Sequence, residues 1–272
     1  MVHSRRSKLP LDQFTLSDVI RLRHSQRELV EYHHQSYFEL AFQRSQVFDK
    51  IKTTLLEIAE PDYEFRDYFR AVEWCYSLQP LSYRGNLLSV GGRFNIGDID
   101  KKLFPPFPAL YFSEDFETST KELFGGLSKK YKQENEDPYF NALATQDSVT
   151  LVKLRGGLSS VIDLTKSEKF GRFVNLITDF KISPQLKTMA KNLKLPQPDV
   201  IRTPSVFLKS VLESDWRKAP MLVDVPSNSQ IFGQLVFESG ISGILYPSRL
   251  TEKKCLAVFP FNCKRRSKSV TV

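Results

Sequence analysis

At 272 residues, 41% of them hydrophobic, the chain carries enough apolar material for one large core, or for a principal domain with a smaller helical extension, which excludes a wholly disordered protein. The formal charge of +8 favours an anionic ligand or partner (a nucleotide, a nucleic acid or an acidic protein) without choosing among them. Cys75, Cys255 and Cys263 are odd in number and lack paired metal-ligand spacing, so a reducing, cytoplasmic setting is expected. His3, His24, His33 and His34 are the only histidines. Everything after residue 34 therefore does its chemistry without imidazole, which argues against a Ser/His/Asp hydrolase, a Cys/His protease or a histidine-rich zinc site. No metal is expected.

In chain order, Met1 to Lys8 runs into Leu9-Pro10-Leu11-Asp12 rather than into an apolar segment, so no secretory signal is expected. No later run approaches the roughly 20 apolar residues of a membrane-spanning helix. From Thr15 to about Leu78 apolar residues recur near helical spacing, among them Val19, Ile20, Leu22, Leu29, Val30, Leu40, Phe42, Val47, Ile51, Leu55 and Ile58. This predicts two or three helices, broken at Glu60-Pro61-Asp62, as a helical extension over residues 1–78. A cap packed on the principal domain is its expected role, with partner or DNA binding as the alternative.

Past Gln79-Pro80 short apolar runs alternate with Gly, Pro and Asn, and residues 79–263 read as the principal domain. Strands are expected at Ala109–Phe112, Val149–Leu154, Val161–Leu164, Met221–Val223, Ile241–Tyr246 and Cys255–Phe259. Helices are expected from a Ser113 N-cap to about Phe124, where Gly125-Gly126 stops the first, then over about 167–180, 184–193, 204–214 and 230–239. Polar residues 128–147 read as a surface excursion, and 264–272 as a basic tail. Strands and helices do not alternate regularly, so the class is α+β with a mixed β core.

Three strings carry chemistry. In Gly91-Gly92-Arg93-Phe94-Asn95-Ile96-Gly97 the glycines permit close approach of backbone to ligand, and Arg93 projects a planar fork of donors suited to phosphate oxygens. The strand Ala109–Phe112 feeds a helix in which Phe116, Thr120, Leu123 and Phe124 form an expected buried stripe. Glu122 adjoins that stripe, and a carboxylate at the margin of an apolar face costs free energy unless a partner compensates. Ser248 follows a strand in a Tyr246-Pro247-Ser248 turn, where a hydroxyl is presented to a cleft or caps its own backbone.

In order and wording these strings resemble the RES domain, named for its Arg, Glu and Ser. The resemblance rests on Gly91-Gly92-Arg93-Phe94-Asn95, on Leu110-Tyr111 with Glu122 on the next helix, and on Gly243-Ile244-Leu245-Tyr246-Pro247-Ser248. Ser229-Gln230 and Leu256-Ala257-Val258-Phe259 also look like the family, and the resemblance covers roughly residues 80 to 260. Phe104-Pro105-Pro106-Phe107-Pro108, the 128–147 excursion and the long N-terminus are departures that bear on substrate access and partner choice.

RES proteins are best known as bacterial toxins of toxin-antitoxin pairs that consume NAD⁺, with a fold similar to ADP-ribosyltransferases. The resemblance implies that NAD⁺ is the substrate, that no separate cofactor is needed and that an antitoxin protein is the partner. It makes Arg93, Glu122 and Ser248 the catalytic group. Arg93 would meet the pyrophosphate or adjoining ribose, and Tyr111 would stack on nicotinamide or shape its pocket. Glu122 would stabilise an oxocarbenium-like ribose, while Ser248 would anchor ribose or nicotinamide and position Glu122. Arg84 and Asn95 are further expected substrate contacts. Water as acceptor gives NAD⁺ glycohydrolysis, phosphate gives phosphorolysis, and a macromolecule gives ADP-ribosyl or phosphoribosyl transfer. The non-enzymatic alternative is a basic nucleotide- or nucleic-acid-binding module using the N-terminal helices and Lys264-Arg265-Arg266-Ser267-Lys268; nucleic acid is the less favoured ligand, and no membrane partner is expected.

Overall fold

The structure is a computed structural model and describes residues 16–124 and 149–263. The N-terminal signal reading, the Gly125-Gly126 stop, the 128–147 excursion and the basic tail lie outside the described residues. Helices α1 (Leu16–Gln46) and α2 (Phe48–Ile58) lead into strand β1 (Glu60–Glu73). The two-residue strands β2 (Gly91–Gly92) and β3 (Asn95–Ile96) form a small ribbon, followed by β4 (Leu110–Ser113), α3 (Phe116–Phe124) and β5 (Val149–Asp163). Four helices come next: α4 (Gly171–Thr178), α5 (Pro184–Asn192), α6 (Pro204–Val211) and α7 (Lys218–Leu222). The chain then forms α8 (Asn228–Glu238), β6 (Gly243–Pro247) and β7 (Lys254–Val258).

The class is α+β: five strands close into a barrel in the order β1-β4-β7-β6-β5. All neighbours pair antiparallel except β5 with β6, which run parallel. Alternate residues of the same strand enter different cores, as the two-residue period of a strand requires. Leu110 and Phe112 of β4, Leu245 of β6, and Leu256 and Val258 of β7 fill the barrel interior with Phe65, Leu154 and Val161. Their neighbours Ile244, Tyr246, Cys255 and Ala257 face the helical layer, where they meet Phe94, Phe173, Phe207 and Phe232. Both faces of β6 and β7 are thus buried, which is why these strands read as unbroken apolar runs.

The residues from 60 to 73, expected to be helical, form a strand. Phe65, Tyr68, Phe69 and Val72 fall at spacings a helix would use, but a bulge between Phe65 and Tyr68, with Asp67 at a φ of 60°, shifts the two-residue alternation and mimics that spacing. Pairing with β5 from Glu60–Val161 to Glu73–Val149 makes this segment a wall of the barrel. The separate strands expected at 149–154 and 161–164 are one strand, because Gly156 and Gly157 stay paired with Phe65 and Glu64 instead of turning. Residues 221–223, expected as strand, fall at the end of the helical turn α7; an apolar run this short has no period to decide its type. Ser113 ends β4, paired with Cys255, and Asp115 caps α3 by accepting the Thr118 N–H at 2.7 Å.

Local signals do account for the later helices. Ser183 and Thr203 accept N–H bonds at the starts of α5 and α6, each followed by proline in the first turn. Ser227 and Gln230 form a capping box on α8. The N-terminal helices pack into the same molecule: Ile51 and Leu55 of α2 are fully buried in the helical core, and Tyr37 of α1 meets Phe104 edge to face at 4.9 Å. No helix among the described residues is long and apolar enough to cross a membrane.

Helix α8 lies against the backbone of Phe94, and Gly233 makes that approach possible: a Cβ there would stand 2.1 Å from the Phe94 carbonyl oxygen. Gly233→Ala is expected to lower unfolding free energy by about 1–3 kcal/mol, the range for overpacking a rigid site. Urea denaturation followed by circular dichroism would show it as a reduced midpoint with an unchanged slope.

Candidate active site

Arg93 projects from the β2–β3 turn, and two side-chain amides hold that turn. Asn95, fully buried, accepts the Gly92 N–H at 3.0 Å through Oδ1 and donates through Nδ2 to the carbonyls of Asn86 and Phe107 at 2.7 and 3.1 Å. Gln230, at the start of α8, donates through Nε2 to the carbonyls of Val90, Gly92 and Asn95 at 2.7, 3.2 and 3.1 Å. Tyr111 of β4 completes the support. Its hydroxyl accepts the Phe94 N–H at 2.8 Å and donates to Asn95 Oδ1 at 2.9 Å. Its ring lies so close to Gly92 that a Cβ at that position would be 2.5 Å away, so glycine is required there by contact. Burial raises the Tyr111 pKa, which keeps the phenol a neutral donor.

On the other side of the cavity, helix α3 turns a face of hydroxyls, not the expected apolar stripe, toward the barrel. Thr118, Ser119 and Thr120 are buried, whereas Phe116 and Leu123 are exposed. Ser119 Oγ accepts the Ala71 N–H of β1 at 2.7 Å, and Thr118 Oγ1 lies 2.7 Å from Thr251 Oγ1. Glu122, one turn beyond Thr118 and Ser119, shares that face. Its Oε1 accepts the Ser248 hydroxyl at 2.6 Å. Ser248 is itself 2% exposed and also accepts the Leu250 N–H at 3.1 Å, so it stands behind Glu122.

These elements bound a cavity of about 650 Å³ lined by Arg70, Arg93, Tyr111, Glu122, Trp216, Arg217, Tyr246 and Arg249, among others. Its size suits a nucleotide-sized ligand. Four arginines face two carboxylates, Glu73 and Glu122, so the potential inside favours anions. Arg70 is the most buried of the four, at 8% exposure. Its Nη2 donates to the Ser82 carbonyl at 2.9 Å, while Nε and Nη1 have no hydrogen-bond partner among the described residues. Burial holds its pKa down to about 10, still well above neutrality, so the guanidinium stays charged. A buried cation with free donors at a cavity wall is the feature an anionic ligand would satisfy.

Among the residues expected from sequence, Arg93, Tyr111 and Glu122 line this cavity, with Ser248 bonded to Glu122. Asn95 does not reach it: its amide is consumed in the turn, and it acts by shaping the loop that carries Arg93. Arg84 does not line it either. It is exposed in a single 3₁₀ turn, although its neighbours Gly85 and Asn86 do border the cavity. Arg70, Trp216 and Arg217 were missed. For Arg70 the available signal was a cation spaced by two from Tyr68 and Val72, which has meaning only once β1 is read as a strand.

The arrangement is an α+β barrel that presents a hydroxyl-anchored carboxylate to an arginine-lined cavity. The RES domain model matches residues 67–272, and the chain belongs to that family. None of the curated proteins matches it. Among solved structures it is similar to a chain from the crystal structure of the M. tuberculosis MbcT-MbcA toxin-antitoxin complex, with a TM-score of 0.48 and 12% identity over 82% of this chain and 89% of that one.

Tyr111→Phe removes one acceptor and one donor from the buried turn. A loss of about 1–3 kcal/mol in unfolding free energy is expected, measurable by chemical denaturation.

Proposed function

We propose that the chain consumes NAD⁺ by cleaving its nicotinamide–ribose bond, with water as the acceptor, and that it acts in the cytoplasm as the toxin of a toxin-antitoxin pair. The observation that carries the reaction is the Glu122 carboxylate at the cavity wall, with one oxygen held by Ser248 at 2.6 Å and the other accepting no hydrogen bond from the described residues. Family membership supports the toxin role, the antitoxin partner and the ADP-ribosyltransferase-like character of the barrel.

In this reading NAD⁺ is the substrate and no further cofactor takes part. As the C–N bond breaks, its electron pair returns to the pyridinium ring, which leaves as neutral nicotinamide and needs little acid assistance. Positive charge develops on the ribose, and the fixed anion of Glu122 stabilises it. Water adds to the anomeric carbon and passes a proton to the same carboxylate, giving ADP-ribose and nicotinamide. Ser248 acts through Glu122: its hydroxyl fixes the carboxylate's orientation before the substrate arrives. Arg70 and Arg93 would hold phosphate oxygens, and Tyr111 would bound the nicotinamide end.

Phosphate can replace water without any change in the residues, since the arginines that hold a diphosphate would also admit inorganic phosphate. Nicotinamide release from NAD⁺ by the purified protein, with and without phosphate, tests both readings. Glu122→Gln is expected to lower the rate by about 10²–10⁴-fold while the protein stays folded. Ser248→Ala is expected to reduce kcat by about tenfold with little change in KM, as befits a positioning residue. Release that is equal in wild type and folded Glu122→Gln would sink the assignment.

A further inference from the structure

Trp216 and Arg217 lie between α6 and α7, outside all three motif strings. Trp216 is buried, and the Arg217 guanidinium carbon sits 4.5 Å from its ring centroid, with that of Arg93 at 6.0 Å. The same connection holds Arg93, whose Nη1 donates to the Glu213 carbonyl at 2.7 Å. Neither arginine makes an ion pair among the described residues. Partial desolvation of its guanidinium, and then the charge of Arg93, lower the Arg217 pKa, while Glu122 acts in the opposite sense. Two guanidiniums around one indole repel each other, and a bound anion offsets that repulsion.

The cavity's four arginines differ in exposure: Arg70 is buried, Arg93 half-buried, and Arg217 and Arg249 exposed. Several forked donors fit successive phosphates better than one, since each guanidinium can engage two oxygens of a phosphate.

We propose that Arg217 is a specificity-determining residue that binds the outer phosphate of a diphosphate whose inner phosphate meets Arg93, so that the site selects nucleoside diphosphate derivatives over nucleosides and monophosphates. This deepens the NAD⁺ reading and rests on it for the reaction, but the ligand class follows from the cavity alone. Trp216 contributes the rigid face that keeps the two arginines apart and aimed inward. Arg217 touches the substrate away from the bond that breaks.

The chain has two tryptophans, and Trp74, the other one, is exposed and does not line the cavity. In a Trp74→Phe background, emission from Trp216 can therefore follow a titration with ADP as probe and adenosine as control. A saturable change is expected with ADP, with the Kd raised about tenfold by Arg217→Ala and about threefold by Arg217→Lys, and with adenosine no weaker in either. Circular dichroism checks that both variants are folded. With NAD⁺ and nicotinamide mononucleotide as alternative substrates, Arg217→Ala should reduce the preference for NAD⁺ in kcat/KM by about tenfold. No saturable ADP signal in the parent, an ADP Kd unchanged in Arg217→Ala, or an unchanged substrate preference overturns the proposal. If ADP binding weakens as expected while no variant or parent releases nicotinamide, the diphosphate assignment stands and only the reading of the reaction falls.

Discussion

The Gln230 amide is the point on which the cavity depends. One side chain closes the capping box of α8 through its oxygen and, through its nitrogen, binds three carbonyls of the turn that carries Arg93. Carbonyls of so tight a turn, away from water, need donors; leaving them unpaired would cost more than ordering one glutamine. Helix and turn are therefore tied directly together, and the Phe94 backbone packs against Gly233 with no side chain between them. Asn95 and Tyr111 extend the same network to β4, so a strand of the barrel, a largely buried helix and the arginine turn share one set of hydrogen bonds.

The opposite wall is built differently, with hydroxyls where the first has amides. Ser119 ties α3 to β1, Thr118 ties it to the loop after β6, and Ser248 ties that loop back to Glu122. Each bond joins elements far apart in sequence, so Glu122 is located by three long-range contacts rather than by its own helix. A carboxylate held this way has its orientation set before any ligand arrives, which is the condition for charge to stabilise a transition state without reorganisation cost. The arginines line the same cavity from four places: Arg93 from the first wall, Arg217 from the α6–α7 connection, Arg70 from β1 and Arg249 from the loop after β6. The site exists only where these supports converge.

The contrast between Asn95 and Arg70 shows how a motif residue and a functional surface can differ. Asn95 belongs to the most recognisable string in the chain, yet it is fully buried and spends every polar atom on the protein. Arg70 belongs to none of the three strings but brings a charged group with free donors to the cavity wall. Serving structure and facing ligand are separate requirements, and a sequence string does not distinguish them.

What the sequence by itself determined is local: proline-backed caps at Ser183 and Thr203, the capping box at Ser227, the apolar runs of β4, β6 and β7, and the order of the Arg, Glu and Ser strings that marks the family. Each is set by a few neighbouring residues, so each is visible without a partner. Only the tertiary structure decided that residues 60–73 form a barrel strand, because a bulge disguises their period and their identity comes from pairing with β5. It alone turned Arg84 outward and brought Arg217 and Arg93 onto one indole ring. Those outcomes depend on contacts between distant segments, and the direction of a side chain across such a contact is fixed by packing rather than by its neighbours in the chain.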